Sequence, residues 1–233
     1  MLIPQSEQFD IWSKELTIPV LALDIVIFTI YKWELCILVT KRNEEWIHGY
    51  SLPWSIVAKW YSLSENFDEV LKRKTGITHG VYKEQLYTFW ENPARDPRWH
   101  VIALTYYALV KAENLLSQVD FTLVDIVTVQ QFEELHIFYE HNEIFHYALK
   151  RLKDKLWYTD VVKNILPEEF RISQIQKMYE IILGRILDKR NFQKKIFSLR
   201  IIQETSKKDT STNRQAKLYR FVEKKQLKFI EML

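Results

Sequence analysis

Polar side chains at four positions of one short segment are suited to contact a nucleic acid: Lys189, Arg190, Gln193 and Lys194. Asp188 precedes them as a candidate helix N-cap, and apolar residues recur four and three positions apart at Phe192, Ile196 and Leu199. This spacing predicts a helix with an apolar inner stripe and the four polar side chains on its outer face. Near the start of such a helix, Arg190 and Gln193 can reach base edges, whereas the two lysines can contact phosphates.

A second helix and a basic hairpin flank this segment. Ser173 is predicted to cap the preceding helix, with Gln176 completing a capping box, and Gly184 is predicted to end it. Strand-like runs follow at residues 201–205 and 216–222, and the connection 206–215 is predicted to form the hairpin tip. The tip carries three further candidate DNA contacts: Lys207, Lys208 and Arg214. Helix, turn, helix and hairpin in this order are the plan of a winged helix-turn-helix.

The charge of the chain divides it into two parts. Residues 1–149 hold 12 Lys and Arg against 20 Asp and Glu, a net −8, and residues 150–233 hold 21 against 10, a net +11. A basic module of this size is typical of a protein that binds a phosphate backbone. The simpler interpretation is a solvated lysine-rich surface, but here the charge coincides with the predicted helix pair and hairpin.

Length and composition indicate two domains in an ordinary globular protein. The chain has 233 residues, of which 47% are hydrophobic. The charge shift places the domains at 1–155, with 1–17 as an N-terminal extension, and at 156–233. Cys36 is the single cysteine, which excludes a disulfide framework and favours a reducing cytoplasm. No signal pattern occurs near the start and the apolar runs have strand length, so no membrane association is expected.

Apolar periodicity predicts strands that alternate with helices in the first part. Residues 20–30 and 34–40 are predicted to form a hairpin, and 41–50 a polar loop. A helix is predicted at 64–74, ended by Gly76. Further strands are predicted at 82–90, 100–110 and 125–129, with a loop at 91–99 and a helix from about residue 130. A continuous helix through 145–155 is predicted to lead into the basic part.

Several motifs resemble a known family. Leu52-Pro53, Ser62 to Glu65 and Glu69 to Ile77 resemble the Nudix box. Arg95 to Arg98, Leu156 to Thr159 with Leu166 to Phe170, and above all Leu187 to Phe192 are similar to Nudix-related transcriptional regulators. The resemblance extends from about Pro19 to about Phe221. It implies an α+β fold, a Nudix-like mixed-sheet α/β/α sandwich followed by a small winged helix-turn-helix domain.

The box departs from the hydrolytic pattern at the positions that bind metal in the family. Aligned through Thr75-Gly76-Ile77, the Arg-Glu pair and the two adjacent glutamates are replaced by Glu69, Val70, Arg73 and Lys74. Divalent cations need several oxygen ligands, so neither a metal site nor a cofactor is expected. Glu65 and Glu69 can share a helix face, but two exposed carboxylates are more often a solvated face. His136, His141 and His146 are five residues apart, a spacing that does not suit a helical metal pair.

The resemblance implies a regulator that binds a double-stranded DNA operator and senses a sugar or nucleotide derivative. A homodimer is expected because one winged helix reads only a short half-site and two-fold operators match two-fold proteins. Trp46, Trp54, Trp60, Trp90 and Trp99 lie in segments that would line its effector cleft. The predicted ligand-binding residues are Arg42, Trp54, Glu91, Asp96 and Arg98. One alternative is a Nudix hydrolase of a nucleoside diphosphate derivative, with ligands supplied elsewhere. Another is an adaptor whose winged helix binds a protein.

Overall fold

The computed structural model describes residues 19–44, 47–92, 94, 96, 99–209 and 216–222. The predicted extension 1–17 therefore lies outside the described residues. The first part contains the strands β1 Val20–Tyr31, β2 Glu34–Glu44, β3 Ile47–Ser51, β4 Trp54–Ile56, β5 Val81–Phe89, β6 Val101–Val110 and β7 Val124–Thr128. Its helices are α1 Leu63–Thr75, α2 Ala112–Leu116, α3 Val129–Glu134 and α4 His141–Lys155. The last part contains a 3-10 turn at Val161–Asn164, α5 Ile172–Leu183, α6 Lys189–Ser198, and the strands β8 Ile202–Asp209 and β9 Ala216–Phe221.

Among the described residues, β1 to β7 form one mixed seven-stranded sheet. Its main order is β3-β2-β1-β6-β5, with β4 paired to β1 and β7 to β2. β1 and β6 are parallel, whereas the other pairs are antiparallel. Lys32 and Trp33 have positive φ and close the predicted hairpin between β1 and β2.

The sheet is covered by helices on both faces. Ile25 and Ile27 of β1 pack in one buried cluster with Phe67 of α1, whereas Val26 and Phe28 pack in the other with α4. Successive side chains of a strand point to opposite faces, so burial of both faces gives the continuous apolar run seen in the sequence. The predicted α/β/α sandwich is confirmed.

The box helix α1 begins and ends as its sequence predicts. The Ser62 side chain accepts a hydrogen bond from the Glu65 backbone, and Gly76 ends the helix with φ 83°. A Cβ added to Gly76 would lie 2.7 Å from the Gln118 carbonyl oxygen, so a side chain is excluded there on space as well as on conformation.

The polar segment 41–50 is not a loop, and that prediction was wrong. β2 continues to Glu44 and pairs with β3, in register from Thr40 opposite Ser51. Backbone hydrogen bonds hold these polar residues in a hairpin at the end of the sheet, where side chains need not be apolar.

The C-terminal part has the predicted winged helix plan, with two corrections. α5 begins at Ile172, and Gln174 rather than Gln176 accepts a hydrogen bond from the first backbone amide, that of Arg171. The predicted Ser173 cap was wrong because Phe170 is bridged to Tyr219 of β9, which fixes the chain immediately before the helix. β8 extends to Asp209, so Lys207 and Lys208 lie on a strand rather than on the hairpin tip.

The junction between the two parts is well packed. α4 is continuous to Lys155, as predicted. One buried cluster extends from Phe28 in the sheet through Leu152 of α4 to Tyr179 and Phe192 in the winged helix. The boundary at 155/156 stays a prediction, although α4 ends there. No helix among the residues described is both long and apolar enough to cross a membrane.

Candidate functional site

The two carboxylates of the box helix have partners within the protein. Glu65 Oε2 accepts hydrogen bonds of 2.7 Å from both the Oγ and the backbone nitrogen of Ser62, and these bonds lower the pKa of Glu65. Glu69 Oε1 lies 3.9 Å from Arg73 Nε. The described part of the chain contains no group of three or more His, Cys, Asp or Glu side chains that could hold a metal ion.

Arg73 and Lys74 face a cavity of about 280 Å³ between α1 and β2. Its lining consists of Thr40, Lys41, Arg42, Trp54, Arg73, Lys74 and Leu123. Val70 points the other way and is buried in the core beneath α1. The box therefore presents cations to this cavity where the resemblance places metal-binding glutamates.

An aromatic cluster lies next to this cavity and shares Trp54 with it. Tyr139 packs edge-on against Trp54, with ring centroids 5.5 Å apart, and accepts a hydrogen bond of 3.0 Å from Arg42 Nη2. A small crevice beside this pair is lined by Ala22, Asp24, Trp54, Asp96, Val101, Tyr139 and His141. Apolar walls with a few directed polar groups are typical of a small-molecule site.

His141 joins this crevice to the sheet. Its Nδ1 accepts a hydrogen bond of 2.9 Å from the Leu52 backbone nitrogen, which leaves Nε2 3.6 Å from Asp24 Oδ1. Both side chains are almost completely buried. His141 is also the first residue of α4, so the crevice is in direct contact with the start of that helix.

The predicted ligand-binding residues are brought together only in part. Arg42, Trp54 and Asp96 meet around Tyr139. Glu91 does not line either cavity. Its carboxylate accepts hydrogen bonds from the Trp90 backbone nitrogen and the Tyr87 hydroxyl. The Trp90 amide, the backbone nitrogen of Glu91 itself and the Tyr87 hydroxyl lower its pKa. Arg98, like Arg95, lies outside the described residues.

Of the five tryptophans predicted to line the cleft, only Trp54 lines it within the described part. Trp60, Trp90 and Trp99 are exposed at 89%, 59% and 48%, respectively, and Trp46 lies outside the described residues. The family resemblance places these tryptophans in segments near the cleft, but a resemblance between segments does not fix the side of a loop on which an aromatic ring lies.

The outer face of α6 carries the predicted nucleic-acid contacts. Lys189, Arg190 and Lys194 are exposed and Gln193 is half-buried. Asp188 Oδ1 caps the helix by accepting a hydrogen bond from the Asn191 backbone nitrogen, as predicted. On the inner face Phe192 packs edge-on against Tyr179 of α5, with centroids 5.3 Å apart.

Lys207 and Lys208 lie on β8 of the hairpin. Lys207 Nζ lies 3.1 Å from Glu169 Oε2, with 70% of the lysine side chain exposed. Lys208 is opposite Lys217 in the β8–β9 register. Arg214 lies outside the described residues.

Comparison with known proteins identifies this module. Residues 162–221 match the family model described as the NrtR DNA-binding winged helix domain. The ADPR responsive transcriptional repressor NtrR of Acinetobacter baylyi is 28% identical over 210 residues, covering 87% of this chain and 82% of that protein. The structure of Shewanella oneidensis NrtR complexed with a 27mer DNA matches with 25% sequence identity and a TM-score of 0.77. The match covers 87% of this chain and 93% of the Shewanella chain. The chain is similar to the NrtR repressors over both of its parts.

The Nudix-like part also has a solved counterpart. The NUDIX domain of Shewanella oneidensis NrtR, complexed with ADP ribose, superposes with a TM-score of 0.52 at 23% sequence identity. The match covers 64% of this chain and 99% of that domain. This likeness supports the fold of the domain. Together with the NrtR matches, it confirms the predicted class, a Nudix-like mixed-sheet domain followed by a winged helix.

Tyr139 and His141 line the crevice, although the sequence did not predict them as pocket residues. His141 is bonded to the Leu52 backbone, 89 residues away in sequence, so no local pattern reveals the contact. The signal at Tyr139 is conformational: it and Glu140 have φ values of 64° and 57°. Two successive left-handed non-glycine residues are uncommon, and here they precede α4 and place Tyr139 against Trp54 and Arg42.

Proposed function

We propose that the chain is a transcriptional regulator whose winged helix binds a double-stranded DNA operator and whose Nudix-like domain binds an ADP-ribose-type effector. The observation that carries this proposal is the likeness to the DNA-bound Shewanella structure over 87% of the chain, which spans both parts. The Acinetobacter relative, an ADPR responsive transcriptional repressor, supports the same assignment.

In this proposal α6 is the recognition helix. Arg190 and Gln193 contact base edges, and Lys189 and Lys194 contact phosphates. Lys207, Lys208 and Arg214 of the hairpin add backbone contacts. On binding, the exposed Lys207 leaves Glu169 and contacts a phosphate instead. Breaking this ion pair costs little free energy, because surface ion pairs are weak.

The effector site of the proposal is the region around Trp54, with Arg42 and Asp96 as polar contacts. Glu91 and Arg98 stay predicted ligand contacts. We further propose a homodimer, because two-fold operators are read by two-fold proteins. A cytoplasmic location and a domain boundary at 155/156 complete the proposal.

Salt-dependent duplex binding distinguishes a DNA-binding winged helix from a protein-binding adaptor. A protein that neutralises phosphates releases counterions, so its observed affinity falls steeply as salt is raised. We expect duplexes selected from a random pool to bind with a linear negative slope of log affinity against log salt. An absence of duplex binding at low salt would favour the adaptor.

The protein is expected not to hydrolyse its effector. Glu65 caps α1, Glu69 pairs with Arg73, and the cavity is lined by cations, so magnesium has few oxygen ligands there. Incubation of ADP-ribose with the purified protein and magnesium or manganese should release no AMP or ribose phosphate above a heat-killed control. Turnover above that control would support the alternative, a Nudix hydrolase.

A further inference from the structure

The cavity at the box helix has the composition of an anion site. Four of its lining residues are cationic, namely Lys41, Arg42, Arg73 and Lys74, and no carboxylate is among the described residues that line it. Two come from the last turn of α1 and two from β2, so the charges converge from both sides. Like charges this close repel one another unless an anion lies between them.

Two of these cations lie beside carboxylates, and two donate hydrogen bonds to neutral hydroxyl groups. Lys41 Nζ lies 2.9 Å from Asp125 Oδ1, and Arg73 pairs loosely with Glu69 at 3.9 Å. Arg73 Nη2 also donates to Ser55 Oγ at 2.6 Å, and Arg42 donates to the Tyr139 hydroxyl, and both of these acceptors are neutral. A diphosphate diester carries about two negative charges, which suits a cavity lined by four cationic side chains.

We propose that this cavity holds the diphosphate of the effector directly against Arg73, Lys74 and Arg42, without a divalent ion. This inference rests on the proposed function, in which the Nudix-like domain binds a nucleoside diphosphate derivative. Guanidinium groups bind phosphate oxygens through paired hydrogen bonds, and lysine binds them as a point charge. Trp54, shared with the neighbouring crevice, places an aromatic surface where the sugar or base of the same ligand lies.

Direct cation binding has a functional consequence for a sensor. In a metal-dependent hydrolase the ion both neutralises the diphosphate and activates water. Arginine and lysine supply the neutralisation without the activated water. The effector is therefore bound and released intact.

The test is the metal dependence of binding by the full-length protein. Isothermal titration with ADP-ribose, and thermal shift with inorganic pyrophosphate, are each run in EDTA and in magnesium. For the wild type we expect the two conditions to agree within about twofold in Kd. For Arg73→Glu/Lys74→Glu we expect a loss of at least about tenfold in EDTA, or 1.4 kcal/mol. Magnesium should restore part of the loss, because carboxylates are magnesium ligands.

Lys72→Glu is the matched control, because Lys72 is exposed in the same last turn but does not line the cavity. It reverses one charge of this helix turn, a change of two units against four in the double variant, and should bind like the wild type. If the double glutamate variant fails to fold, Arg73→Gln/Lys74→Gln removes both charges without reversing them, and the same loss in EDTA is expected.

The outcomes separate this inference from the proposed function. ADP-ribose binding that needs magnesium in the wild type, or that survives both double variants, overturns the inference and leaves the ADP-ribose sensor standing. Pyrophosphate binding that depends on Arg73 and Lys74, without ADP-ribose binding, supports the anion site and rejects ADP-ribose as effector. If neither probe binds the wild type in EDTA, the inference is wrong.

Discussion

Arg73 and Lys74 have two effects at once, on the helix and on the cavity. A positive charge in the last turn of a helix is favoured by the helix dipole, so both residues stabilise α1 where they stand. The same charges make the cavity unsuitable for a divalent cation. Val70, at another position where the family resemblance implies a glutamate, is 3% exposed, so a glutamate placed there would be buried in the apolar core.

Arg190 is the single residue on which sequence recognition should depend most. Arg190→Ala is expected to weaken operator binding by about 1–3 kcal/mol and to relax the sequence preference, because a base contact is lost. Lys194→Ala should weaken all duplexes alike and reduce the salt slope, because a phosphate contact is lost. Fluorescence anisotropy with selected and scrambled duplexes measures both effects.

Lys72→Ala is the control for these variants, since it removes an exposed lysine from α1 in the other domain. It should leave DNA binding unchanged. Wild-type affinity for the selected duplex in an Arg190→Ala/Lys194→Ala double variant would refute the assignment of α6 as the recognition helix.

At the level of elements, Glu84 joins the sheet to the end of α4. From β5, its Oε2 lies 2.8 Å from Lys155 Nζ and accepts a hydrogen bond of 2.7 Å from the Tyr82 hydroxyl. The Tyr107 hydroxyl of β6 donates to the same oxygen at 3.1 Å, and Arg151 of α4 lies 3.4 Å from Oε1. This network fixes the last turn of α4, which leads into the winged helix.

Replacement of Glu84 should lower stability and change its pH dependence. Burial alone raises the pKa of Glu84, but hydrogen bonds from Lys155 and Tyr82 outweigh it and hold the pKa below its ordinary value. The ionised Glu84 therefore contributes to the free energy of unfolding above its pKa in the unfolded chain, about 4.3. This contribution is lost as pH falls through the lower pKa of Glu84 in the folded protein. Glu84→Gln should lower the free energy of unfolding by about 1–3 kcal/mol at pH 7. It should also reduce the loss of stability that the wild type shows at acidic pH.

Urea unfolding of the wild type and Glu84→Gln at a series of pH values from 7 downward measures both parts of this prediction. The exposed Glu113 of α2 provides a matched control, Glu113→Gln, which should change neither the stability nor its pH profile. Parallel pH profiles for wild type and Glu84→Gln would show that the network does not contribute as described.

Elements with a strong apolar period were predictable from the sequence. β1, α1 and α6 were found within a residue or two, because each buries a continuous stripe and because Gly76 and Asp188 mark an end. The β2–β3 hairpin was missed because its residues are polar and its strands are defined by pairing. The first residue of α5 was predicted wrongly because a tertiary contact, the Phe170–Tyr219 bridge, fixes where the helix begins.

The sequence predicted the cationic character of the box helix, but not the full set of residues that line the candidate site. The cations at 73 and 74, where the family resemblance implies glutamates, were visible in the sequence. The cavity that they share with Lys41 and Arg42 depends on the approach of β2 to α1. Tyr139 and His141 enter the site through a turn and through contacts far apart in the chain. Such contacts leave no periodic signal.

At the level of the whole molecule, α4 connects the effector region to the DNA-binding part. Its first residue, His141, lines the crevice, and its last turn is bonded to Glu84 next to the winged helix. The helix has 15 residues and spans roughly 22 Å. We expect a ligand that displaces Tyr139 or His141 to shift α4 as a rigid element, and with it the spacing of the two recognition helices in a dimer.

Coupling of this kind is reciprocal. If ADP-ribose changes operator affinity tenfold, about 1.4 kcal/mol, the operator must change ADP-ribose affinity by the same factor. Titration of ADP-ribose into free protein and into the preformed operator complex should give Kd values that differ by this ratio. A ratio that departs from it would indicate a third state or a change in oligomeric state.

The most direct measurement is operator affinity by fluorescence anisotropy in EDTA, with and without saturating ADP-ribose. The wild type is expected to change its operator affinity at least about tenfold on adding ADP-ribose. Arg73→Glu/Lys74→Glu should need at least about tenfold more ADP-ribose for the same change, while it binds the operator as the ligand-free wild type does. If ADP-ribose binds the wild type and operator affinity stays the same at saturation, the Nudix-like domain is not the sensor of this regulator.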